Sequence, residues 1–177
     1  MGGLAAAWGI AGVVALLSFA VYRLGYQTIM AFDHPLMWYH WLVLLLNVVF
    51  MAHAEGYRGF QLNFSPRVAA RADYLSRNVN GLRLLLAPLF CMGFVHATRR
   101  RLISAYALTV GVIALVIVFQ QLPQPWRGIL DAGVVVGLTW GIISIVAFSW
   151  KLALGEPIDV DPEVPTTAGT PAETLSQ

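Results

Sequence analysis

Few residues in this chain could do chemistry, and the most suggestive of them share one side of a helix. At 100° per residue, His40, Asn47, Glu55 and Arg58 fall within about 80° of one another. An imidazole, an amide, a carboxylate and a guanidinium on one stripe could line a cavity for a polar headgroup or carry protons. Asn47 stands in the middle of an apolar run, where a polar side chain must find a hydrogen-bond partner and is a functional suspect. The plainer reading puts His40 and Glu55 at the two ends of that run, within reach of water, and lets Asn47 bond a neighbouring helix.

The cations suggest a second chemistry. Arg58, Arg67, Arg71 and Arg77 could face phosphate, which makes anionic lipid headgroups the expected partners, and Glu55 and Arg58, three apart, could form an ion pair. Arginine suits such fixed pairing better than lysine. Ordinary positive charge at the ends of membrane helices explains the same pattern. No metal or cofactor is expected. The alternative is a b-type haem held between His40 and His96 on facing helices, although boundary histidines commonly serve as hydrogen-bonding spacers. Cys91 is the only cysteine, so an intrachain disulfide, a CxxC redox pair and a cysteine metal cluster are all excluded. The serines lack a histidine and acid context for nucleophilic catalysis, and nothing indicates a nucleic-acid partner.

These residues must be positioned by helices in lipid. The chain has 177 residues, 58% of them hydrophobic and 11% charged, unlike an ordinary soluble domain. The stretch between Arg101 and Arg127 has no charged side chain, and a span needs about 20 mostly apolar residues. The expected fold is an all-α integral membrane bundle over residues 1–151. Five spans fall at about 4–22, 36–54, 82–98, 102–122 and 129–150. Met1–Ile10 lacks the positive start of a signal peptide, so the first run reads as a retained span. Glu55-Gly56 is expected to end the second. A helix at 65–77, opened by Ser65-Pro66, reads as amphipathic and interfacial, or as folded over the mouth of the bundle. Residues 152–177, rich in proline and acids, read as a disordered tail.

The segment at 82–98 sets two rules against each other. Hydropathy favours a crossing, and therefore five spans. If Pro88 and Gly93 instead bend a re-entrant hairpin, four spans remain. All of the eleven basic residues except Arg23 and Arg127 then share one face, the bias of a cytoplasmic side. Five spans are expected, with four plus one re-entrant segment as the alternative, in a bacterial cytoplasmic (inner) membrane.

Helix packing has its own signature. Gly133, Gly137 and Gly141 line up at four-residue spacing, and Ala107 with Gly111 offers a matching groove on the preceding span. Such lanes allow close backbone approach within the bundle or at a homodimer seam. Function is therefore expected to be non-catalytic: a scaffold, assembly factor or accessory subunit beside other membrane subunits. The alternative is a small membrane enzyme or carrier for a lipid-like substrate or haem, working through the stripe on the second span.

Overall fold

The computed structural model describes residues 2–78, 81–95, 97–156, 158 and 160–162. All regular structure in this range is helical. It comprises α1 (Gly2–Phe32), α2 (Trp38–Met51), a π-helical segment (Ala52–Phe64), α3 (Ser65–Arg77), α4 (Gly81–Leu85), α5 (Ala87–Met92), α6 (Arg99–Gln120) and α7 (Trp126–Ala153). Two of these, α1 and α7, are long and apolar enough to cross a membrane. At 1.5 Å per residue they run about 46 and 42 Å, beyond the roughly 30 Å of a hydrocarbon core. His96 and most of the expected tail, including 163–177, lie outside the described residues.

The second rod differs from expectation. Gly56 was to end it, but a glycine stop needs a left-handed residue, and only Gly93 and Gly155 take positive φ among the described residues. Helical dihedrals continue through Met51, Phe64 and Ser65, so α2, the π segment and α3 form one unbroken rod from Trp38 to Arg77. In its middle the Ser65 N–H donates to the Phe60 carbonyl five residues back. Such i→i+5 winding is rare, and where it occurs it frequently marks a functional site.

At one end of the bundle Phe32 meets Trp41, Tyr39 stacks on Trp126, and Gly128 packs on Ala31. At the other, Gly2 meets Ser76 of α3, and Leu152 of α7 joins the cluster of Ala5 and Leu75. The long rod and α7 therefore run parallel to each other and antiparallel to α1. The core lies at the Gly2 end, between α1, α3, α5 and α7, and is built from small residues around Phe90, Leu75, Val13, Val68 and Ile145. Ala5, Ala72 and Ala87 let the helix axes approach closely.

The segment expected as a third crossing turns back instead. Pro88 seats against Gly12 of α1 and Cys91 against Gly9, so α5 already runs back toward the Gly2 end; the turn lies at Leu86, between α4 and α5, and Gly93, whose φ is 90°, ends α5. Gly12 lies about 15 Å along α1 from Gly2, roughly half a hydrocarbon core. The α4–α5 pair thus dips beside α1 and returns. The physical reason is local: Gly9 and Gly12 offer a groove of fitting depth, and the break at Leu86, with Pro88 in the first turn of α5, turns the chain where hydropathy registers only an apolar run. Helix 65–77 forms with the expected bounds, but its supposed outer face is packed. Ala69, Ala70 and Arg71 are as buried as Val68, Ala72 and Leu75, because α3 is enclosed by α1, α5 and α7. It does not lie flat on a surface.

Candidate functional site

The polar stripe faces the glycine lane of α7. Asn47 fills the space over Gly133, Glu55 covers Gly137, and the Phe60 ring covers Gly141. The Asn47 amide donates to the carbonyls of Ile129, at 2.9 Å, and Leu130, at 3.2 Å. These side chains rise along the rod in steps that suit a turn wider than an α-turn. The π winding keeps Glu55 and Phe60 aimed at one lane. In the other direction Gly56 receives the Trp140 ring, whose Nε1 donates to Gln61 Oε1 at 2.8 Å. A Cβ on Gly137 would stand 3.0 Å from Glu55 Oε2, and one on Gly141 2.5 Å from the Phe60 ring. Small residues are therefore obligatory on this face.

Glu55 Oε2 is buried without a hydrogen-bond partner among the described residues. The expected ion pair with Arg58 is not made, because Arg58 is exposed while Glu55 turns inward. Residues three apart are neighbours on an α-turn, and π winding moves them off a common face. Other buried oxygens without a hydrogen-bond partner among the described residues belong to the same two rods: Ser65 Oγ, Ser144 Oγ and Asp131 Oδ2, the last in an ion pair with Arg127. Asp131 lies near Arg127, with Nε 3.8 Å away.

His40 stands apart from the stripe, at the Phe32 end. It is the third residue of α2, and its Nδ1 accepts the Met37 N–H at 3.0 Å, satisfying one of the free donors of the helix start. The ring packs edge-on to Trp126, 4.9 Å between centroids, and beside Tyr39. A nitrogen that accepts leaves the proton on Nε2, which then has no lone pair for iron. The adjoining cavity, lined by Thr28, Ala31, Trp41 and Ile129, has a volume of about 10 Å³, room for one water. His53 is exposed and stacks on Tyr57. No three His, Cys, Asp or Glu side chains converge among the described residues.

The arginines expected at phosphate depth divide. Arg77 is exposed and pairs with Asp73, Nη2 to Oδ2 at 3.0 Å, while Arg67 is half-buried. Arg71 is only 2% exposed. Its Nη1 donates to the Phe90 carbonyl at 2.6 Å, its Nε to the Pro162 carbonyl at 2.8 Å, and its guanidinium lies 4.8 Å from the centre of the Phe90 ring. Arg71 therefore works inside the bundle rather than toward a headgroup, because α3 is enclosed. Ala107 and Gly111 do not meet α7. Both are exposed, and no atom lies within 4 Å of a Cβ placed on Gly111. The partner of the α7 lane is the α2–π rod, which brings larger side chains to fill it.

Sequence reasoning missed Trp140, Gly9 and Gly12 and, although Gln61 stood out in the polar run from His53, it missed Gln61's bond to Trp140. Gly9 and Gly12 could have been found as small residues three apart on an apolar run, a signal weaker than the tandem G-x-x-x-G. No family model, curated protein or solved structure matches this chain.

Proposed function

We propose that the chain is a multi-pass integral membrane protein acting as a non-catalytic scaffold or accessory subunit, with α6 as the helix it offers to a membrane partner. The lipid reading is supported by the outward side chains, such as Phe19, Leu45, Phe50, Ile117 and Ile143, which are large, apolar and exposed. Four rods would cross (α1, Trp38–Arg77, α6 and α7), with α4–α5 re-entrant from the Gly2 end. All basic residues except Arg23 and Arg127 then gather at that end, where the positive-inside rule puts the cytoplasm of a bacterial inner membrane. Exposed cations such as Arg58 would meet anionic headgroups there.

The observation that carries the scaffold reading is the contrast between stripe and α6. Asn47, Glu55 and Gln61 are engaged against α7, whereas α6 exposes large apolar side chains such as Ile103, Val110, Ile113 and Ile117 and buries only Ala105 among its described side chains. Helices associate in lipid where small residues permit close approach, as Ala107 and Gly111 do. The test is site-specific photo-cross-linking in native membranes from Val110, Ile113 and Ile117 of α6, with Leu45 of α2 as control. Adducts to one protein from α6, lost in Gly111→Trp and absent from Leu45, support the reading. Lipid adducts alone at every position sink it.

A second reading, a carrier or small enzyme working through the stripe, draws on one observation: Glu55 Oε2, buried without a hydrogen-bond partner among the described residues, inside a long π segment. It requires Glu55→Gln to abolish the in vivo phenotype while the complex seen in gentle detergent keeps its size. The scaffold reading requires that variant to be silent. A haem branch would show as a Soret band in purified protein.

A further inference from the structure

Two helix ends closed by left-handed glycines meet at Arg71. The first ends α5, where the Gly93 N–H returns to Phe90 and the Phe94 N–H to Leu89, with Gly93 left-handed. The second ends α7. The Gly155 N–H bonds to Leu152, the Glu156 N–H to Lys151, and Gly155 has φ +78°. Reversal at Gly155 sends the chain back along the bundle rather than away from it. Ile158 and Val160 are half-buried, and the Pro162 carbonyl reaches Arg71 Nε. The segment expected to be a disordered tail is thus, at its start, part of the packing.

A guanidinium buried this deeply is costly unless its donors are satisfied, and here carbonyls of two different segments accept from it. Phe90 belongs to the returning end of the re-entrant pair and Pro162 to the C-terminal segment. We infer that the segment carrying Gly155, Glu156, Ile158 and Val160 to Pro162 forms a latch over the Gly2 end of the bundle, with Arg71 as its pin, coupling the position of that segment to the seating of α5 on α1. With the latch in place, Arg71 holds the end of α5 down. With the latch lifted, the Nε donor loses its acceptor inside the core, and α5 loosens from Gly9 and Gly12. A pull on the chain beyond Pro162 is thereby transmitted to the re-entrant pair.

The chain carries its own reporter. Cys91, the only cysteine, is 2% exposed and lies against Gly9 in the seam between α1 and α5. The experiment is the reaction rate of Cys91 with N-ethylmaleimide in full-length protein in nanodiscs, compared with Arg71→Met, a stop after Gly155, and the two combined. Each single change is expected to speed labelling by at least about tenfold, the scale of a lost hydrogen bond to a charged group. The double variant should be no faster than either, since both remove one coupling. Arg71→Lys, which keeps the charge on a narrower donor head, should fall between. A truncated chain that labels at the wild-type rate overturns the latch, as does a double variant whose effects multiply. If Arg71→Met fails to fold, the truncation and Arg71→Lys decide the matter alone. No partner enters this test, so its outcome is separate from that of the scaffold reading.

Discussion

α6 and α7 resemble each other in sequence and have opposite fates. Each is a long apolar run interrupted by small residues. Yet α7 buries Gly128, Gly133, Gly137, Gly141 and Ile145, while Ala105 alone is buried among the described side chains of α6. Apolar character does not explain the difference, because it is common to both. What separates them is a filled lane. Three glycines on α7 face Asn47, Glu55 and Phe60, which reach across from a rod wound to aim them there. Ala107 and Gly111 face no such ridge. In the membrane reading proposed above, where lipid is as apolar as leucine, association follows shape and hydrogen bonding rather than hydrophobicity.

The sharpest way to break this contrast is to fill both lanes. Gly133→Leu or Gly137→Leu must displace Asn47 or Glu55, and is expected to cost about 3 kcal/mol or more by overpacking. Gly111→Leu enters open space and should change monomer stability by no more than about 0.5 kcal/mol. Thermal unfolding in detergent, followed by tryptophan fluorescence, compares them. Equal losses on the two helices would dissolve the distinction. Asn47→Leu sharpens it, because it keeps bulk over Gly133 while removing the bonds to Ile129 and Leu130. A loss of about 1 kcal/mol is expected, and Thr109→Val on α6, whose hydroxyl only returns to Ala105 of its own helix, should be neutral.

Glu55→Gln tests whether the seam is packing or machinery. A buried oxygen such as Glu55 Oε2, with no hydrogen-bond partner among the described residues, is costly, so the amide should leave stability unchanged or raise it by up to about 1 kcal/mol. A clear loss would mean that the carboxylate has a partner the packing account omits. The smallest expected effect is that of Gln61→Leu, which frees the Trp140 indole on a surface already exposed. It should cost about 0.5 kcal/mol, with the Trp140 emission shifting.

How much of this was readable beforehand differs from element to element. The ends of α6 and α7 fall within a few residues of the apolar runs, whereas Ser65-Pro66, read as a cap and first-turn proline, opens no new helix: Ser65 is itself helical, its Oγ caps nothing, and the rod runs through it. The lane at Gly133, Gly137 and Gly141 was legible from spacing, but its partner was not. Adjacency in sequence favoured α6, and the actual filler is the rod that starts at Trp38. Gly56 read as a stop because glycine is locally permissive, yet there it makes room for the Trp140 ring, and the helix runs on. Arg71 read as a surface cation because its helix looks amphipathic, and nothing nearby in sequence announces the carbonyls of Phe90 and Pro162.

By itself the sequence determined that this chain is helical and apolar and where its small residues stand. Unpaired backbone groups are too costly to leave in apolar surroundings, and the four-residue period is written in the side chains. Tertiary structure alone decided which lane is filled, where the short segment at 82–98 turns back, and that a buried arginine joins two helix ends. Burial of apolar surface has no direction, so the choice among neighbours falls to shape and to polar groups that distant stretches of chain bring together.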